Sequence, residues 1–137
     1  MRLECVRRNG MLGLLLCCTF FMGGCSRALT DQNVAGTYKA NAQWGDSILV
    51  LRADHTFEQT VVRNDHTQAK INGTWKLDLL SGKSATYGGL DFKPFLDVSH
   101  DREGVLVGGA GPSISRGFLG GITIAADPNY GISFDKE

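Results

Sequence analysis

The chain has 137 residues, 14 basic against 14 acidic side chains, and therefore no formal net charge; 42% of it is hydrophobic and 18 residues are glycine. That length suits one domain with one core and is too short for two. Balanced charge without a basic field excludes a nucleic-acid partner held through its phosphates.

The first 24 residues divide into the zones of an export signal. Arg2, Arg7 and Arg8 stand before an apolar stretch from Met11 to Met22, and Gly23-Gly24 follow. The stretch falls short of the roughly 20 residues a spanning helix needs. It reads as a signal helix that is removed, not as a permanent anchor. Met22-Gly23-Gly24-Cys25 resembles the lipobox of bacterial lipoproteins, in which an apolar residue, two small residues and a cysteine mark the cut. The resemblance implies cleavage between Gly24 and Cys25, attachment of a diacylglyceryl lipid anchor to the Cys25 sulfur, and acylation of the new amino terminus by a palmitate-type chain. Met22, apolar and unbranched, stands where leucine is usual. The upstream run Leu14-Leu15-Leu16-Cys17 matches less well, because it sets a bulky leucine against the cut. Ser26 follows the cysteine where aspartate is the usual retention signal; in Gram-negative lipoproteins this implies the outer membrane, facing the periplasm.

The expected organisation is a signal peptide over 1–24, a lipidated tether over 25–35 and a single domain over 36–137. Loss of Arg2, Arg7, Arg8 and Glu4 leaves 11 basic and 13 acidic residues, a formal charge of −2. No polybasic patch then reinforces membrane attachment, so the acyl chains must hold the protein. Of the four cysteines, Cys5, Cys17 and Cys18 fall in the leader and Cys25 carries lipid. The domain is thus expected to have no disulfide and to rely on packing and strand pairing.

Ser26 to Val34 reads as a polar lead with room for one helical turn capped by Thr30 or Asp31. Beyond it, apolar residues recur with period two, the pattern of strands with one buried face. Gly36, Tyr38 and Ala40 alternate with Thr37 and Lys39. Ser47 to Arg52 reads as a strand apolar on both faces, joined through the turn Ala53-Asp54-His55 to Thr56–Arg63 as a hairpin. After a turn at Asn64-Asp65-His66, Ala69, Ile71, Gly73, Trp75 and Leu77 share one face and Lys70, Asn72, Thr74, Lys76 and Asp78 the other. Weaker strand signals cover 85–87 and 90–92, where Pro94 predicts an edge or an ending. Asp97 to Gly104 is expected to be exposed, Val105 to Val107 a short strand, and the glycine-rich 108–113 a loop with a turn at Gly111-Pro112-Ser113. Ile114–Leu119, Ile122–Ala125 and a final alternation of Tyr130, Ile132 and Phe134 complete the chain.

No amphipathic helix of three turns follows residue 35. The expected fold class is all-β: a small antiparallel β-barrel, or a compact β-sandwich, of about eight strands. Gly36-Thr37-Tyr38 ahead of meander-like hairpins resembles the start of a lipocalin, which implies a barrel; Tyr38 stands where that family has tryptophan.

Sequence chemistry points away from catalysis. Gly82-Lys83-Ser84 lacks the first glycine of a phosphate loop, since Leu77 occupies its place, and no helix follows. His55, His66 and His100 have no ligand spacing, so no metal site is expected. Ser99-His100-Asp101 are adjacent, whereas triad members come from separated positions. No catalytic residue and no cofactor is expected. What remains is aromatic: Tyr38, Phe57, Trp75, Phe92, Tyr130 and Phe134 are expected to face inward, and Trp44 to lie in a loop at the rim. Tyr38, Trp44, Phe57, Trp75 and Tyr130 are accordingly the candidate ligand-binding residues if the barrel holds a small apolar molecule or lipid. The competing expectation is an adaptor, inhibitor or immunity-type lipoprotein that uses strand edges and loops to hold another envelope protein at the membrane. The membrane itself, reached through Cys25, is a partner on either reading.

Overall fold

Strand β4, Gln68–Leu79, shows most directly how the sequence pattern becomes structure. Its even positions, Lys70, Asn72, Thr74, Lys76 and Asp78, are exposed, while Trp75 is buried and Ala69, Ile71 and Leu77 pack against the core. The same inside-outside rule runs through β1 (Gly36–Ala42), β2 (Gly45–Leu51), β3 (Thr56–Arg63), β5 (Tyr87–Asp97), β6 (Val105–Arg116), β7 (Ile122–Asp127) and β8 (Ile132–Lys136). In this computed structural model, which describes residues 28–80, 86–99 and 104–137, each strand pairs antiparallel with the next and β8 returns to β1. The result is a closed eight-stranded barrel, not a sandwich. Gly24, Cys25, Ser26 and the rest of the leader, Gly82-Lys83-Ser84, and His100-Asp101 lie outside the described residues.

Register explains how the sheet closes. β4 pairs with β3 through Gln68 to Thr74 and then with β5 through Thr74 to Leu79, so one long strand serves two neighbours in succession. Gly73 sits at this handover, where a Cβ would collide with the Lys93 carbonyl and lie 2.7 Å from a ring carbon of Phe57. Only a residue without a side chain lets the strands cross so closely.

Three expectations are corrected in β5 and β6. Pro94 does not end β5, which continues to Asp97. Pairing with β4 stops at Lys93 and the β6 ladder shifts register between Phe92 and Phe95, so the N–H that proline lacks is not needed there. Nor is 108–113 a loop, for β6 runs through it as one strand. A second register shift between Gly89 and Asp91 absorbs Gly111-Pro112, and β7 begins pairing only at Ser113. Expected Ile114–Leu119 ends instead at Arg116.

Two turns use one device. Arg52-Ala53-Asp54-His55-Thr56 and Arg63-Asn64-Asp65-His66-Thr67 have the same Arg-x-Asp-His-Thr sequence at opposite ends of β3. In each, the histidine adopts positive φ (65° and 66°) and the aspartate Oδ1 accepts from the threonine N–H (2.9 Å) and hydroxyl (2.6 Å). The aspartate therefore folds the turn that the histidine's backbone closes. These threonine contacts hold both carboxyl pKa values below the usual range.

The barrel has two ends. One carries the 52–55 and 117–121 turns and the short helix α1, Asp31–Val34; the other carries the 43–44, 64–67 and 128–131 turns. At the α1 end Thr30 caps the helix in a reciprocal box with Asn33. Leu29 and Val34 are buried and join the core, so this part of the expected tether packs as a plug. Lys136 ties it down, donating to the carbonyls of Asn33 (2.5 Å) and Ala35 (2.7 Å). Burial, and then repulsion from Arg116, lowers the Lys136 pKa.

Candidate functional site

The inward aromatics meet one another. Phe57 packs edge-on to Phe92 (centroids 4.9 Å apart), and Phe92 stacks on Phe95 at 4.7 Å. Tyr38 is fully buried and donates its phenol to the Val34 carbonyl at 2.5 Å; burial raises its pKa. Trp75 donates Nε1 to the Arg52 carbonyl at 3.0 Å, and His55 lies against its ring. Three of the five expected ligand-binding residues, Tyr38, Phe57 and Trp75, thus work as core side chains.

The other two separate. Trp44 is half-buried at the far end and packs on the core, with its indole N–H enclosed and lacking a hydrogen-bond partner among the described residues. Asn64 holds its turn, donating N–H to the Trp44 carbonyl and Nδ2 to that of Gln43. Tyr130 is corrected: it is 64% exposed, not inward. Its backbone belongs to the β7–β8 turn, with Tyr130 N donating to Asp127 O and Gly131 at φ 68°, so the strand's alternation starts only at Ile132.

Gln59 is the residue that the sequence reading missed. Alternation on β3 turns it inward between Phe57 and Val61, and it is completely buried. Its amide donates to the Leu96 carbonyl at 2.8 Å and accepts from the Leu96 N–H at 2.9 Å. A side-chain amide thereby acts as a strand partner across the barrel, which keeps both Leu96 groups satisfied. Phe95, Leu96 and Val98, all buried, fold over the far end under this latch. Plug and latch thus bring buried side chains to both ends of the core.

The wall is less complete. β1 and β8 pair through Tyr38 with Lys136 and Lys39 with Asp135, and among the described residues no further ladder pairs join them. A cleft of about 540 Å³ opens there, bounded by Lys39, Ala40 and Asn41 of β1, Asp46, Ser47 and Ile48 of β2, and Gly131, Ser133 and Asp135 toward β8. Asn41 donates to Asp46 across its floor at 2.6 Å. Its lining mixes an apolar side chain with charges of both signs and with strand backbone. Such a surface can receive an extended segment by main-chain hydrogen bonding.

Among the described residues no group of three or more histidine, cysteine, aspartate or glutamate side chains is placed to hold a metal. His55 and His66 stand at opposite ends of β3. Ser99 uses its N–H to close a local turn on the Asp97 carboxylate. Comparisons with family models, with curated proteins and with solved structures return no match to this chain.

Proposed function

We propose that the chain is a lipid-anchored bacterial envelope protein, acylated at Cys25 after cleavage behind Gly24, that works without catalysis by holding another protein at the membrane. The observation that carries this reading is that the inward aromatics pack into one core, with Leu29 and Val34 buried at one end and Phe95-Leu96 latched by Gln59 at the other, beside a β1–β8 seam joined by two ladder pairs. Ladder groups at such a seam favour an extended partner strand, and Ile48 with the flanking charges would select its side chains. The outer membrane, on its periplasmic side, is the location that Ser26 favours.

The second reading, carriage of a small apolar molecule, draws on the aromatic inward face. It requires Phe95-Leu96 or the α1 plug to move aside. One experiment separates the two. The lipoprotein is purified from its own envelope and examined by native mass spectrometry, with a photo-cross-linking residue at Ile48 or Ser133. A discrete protein adduct at these positions, without a bound small molecule, supports the adaptor. A stoichiometric apolar molecule released on denaturation, with no adduct, replaces it by the carrier.

A further inference from the structure

We infer that the α1 end of the barrel docks onto a lipid leaflet, with the Phe118-Leu119 turn entering the acyl region beside the anchor. Phe118 and Leu119 are 93% and 96% exposed, more than any other large apolar side chains described. They occupy the tip of the 117–121 turn, which Gly117 N to Gly121 O (2.8 Å) and Gly120 N to Gly117 O (2.9 Å) hold closed. A closed turn presents both side chains outward together. Leu79 and Leu80, also exposed, flank it: Leu79 pairs with Gly88, Gly88 with Ile114, and Arg116 N donates to Thr86 O. Four apolar side chains therefore crowd one rim of the barrel.

Chain length selects the occupant. This step rests on the anchor proposed above. Leu29 stands four positions after Cys25, and an extended chain of that length reaches at most about 14 Å. Since Leu29 is buried in the barrel, the α1 end cannot stand farther than this from the lipidated sulfur. The far end, with its own exposed Val105, Leu106 and Tyr130, lies roughly 15 Å beyond, given the strand rise and the tilt of a small barrel. Only the α1 rim faces the leaflet. Arg116, at the root of the turn, is no part of this contact, since its Nε and Nη1 are enclosed and lack hydrogen-bond partners among the described residues.

The test uses the intact lipoprotein in phosphatidylethanolamine–phosphatidylglycerol vesicles whose acyl chains are brominated. Phe118→Trp and Tyr130→Trp variants are compared, and intact mass establishes acylation. Bromine quenching of the tryptophan at 118 above the Trp44 and Trp75 background, and none at 130, is the expected result. An acylated protein in which neither position is quenched overturns the docking alone and leaves the anchor standing. A protein adduct in place of lipid when a photo-cross-linker occupies position 118 also overturns it. Should mass show no acylation, the anchor reading fails, and vesicle co-sedimentation of the same protein decides the docking separately. Each apolar tip residue then contributes about tenfold in affinity, so F118S/L119S weakens partitioning about 100-fold. Absence of any wild-type co-sedimentation would reject the docked rim.

Discussion

Tyr38 and Gln59 are buried for opposite reasons, and each makes a measurable claim. The Tyr38 phenol is enclosed and donates to the Val34 carbonyl. Tyr38→Phe leaves that carbonyl unpaired and is expected to lower stability by about 1–3 kcal/mol at neutral pH. The difference shrinks in alkali. Because burial raises the folded pKa, the unfolded chain ionises first above its ordinary value near 10, and wild type then loses up to about 1.4 kcal/mol per pH unit that the phenylalanine variant keeps. Lys136, whose folded pKa is lowered, adds stability as pH rises toward its unfolded value, but it does so in both proteins and cancels in the difference. Urea midpoints of the pair should therefore converge between pH 9 and 11. Gln59 makes the simpler case. Gln59→Leu strands both Leu96 backbone groups, and a loss of about 2–4 kcal/mol is expected, with faster amide exchange confined to 95–98.

Strands and turns show where local reading succeeds. β4 was legible because its lysines and apolar residues alternate without a break, and only a strand sorts them. Pro94 and the glycines of 108–113 misled for a physical reason. A proline is excluded from a ladder only if a neighbour needs its N–H, and the neighbours' registers, which no single segment contains, leave Pro94 and Pro112 outside those ladders. The core aromatics were legible by alternation; Tyr130 was not, because a turn occupies the place where alternation was extended. Conversely, the repeated Arg-x-Asp-His-Thr stood open in the sequence and marks both turns of β3. Asp54→Ala and Asp65→Ala should each lower the thermal midpoint by a few degrees at pH 7. Since both folded pKa values are lowered, that difference should fade as pH falls below the ordinary aspartate value. At the β4 handover, Gly73→Ala must push apart the Lys93 carbonyl and the Phe57 ring, and a loss of about 2–4 kcal/mol in denaturant unfolding is expected, far more than for an alanine at the open Gly89.

As a whole molecule the barrel is apolar within and charged without. Glu58, Lys70, Lys76 and Asp78 face outward on β3 and β4, two of them paired across strands and one pair formed along β4. A barrel that spans a bilayer has the opposite polarity, an apolar belt outside. On β3 and β4 this barrel carries charge outside instead. Its integrity then depends on a segment that composition alone marks as a tether. Leu29 and Val34 are about as buried as the strand core, and Tyr38, His55 and Lys136 all reach toward residues 31–35. If that segment is a plug, Leu29→Ala with Val34→Ala costs about 3–6 kcal/mol and opens the aromatic interior to water. The expected signature is twofold: a lower urea midpoint, and binding of an environment-sensitive apolar dye that wild type excludes. A spacer would behave otherwise, since alanines there would change neither measurement.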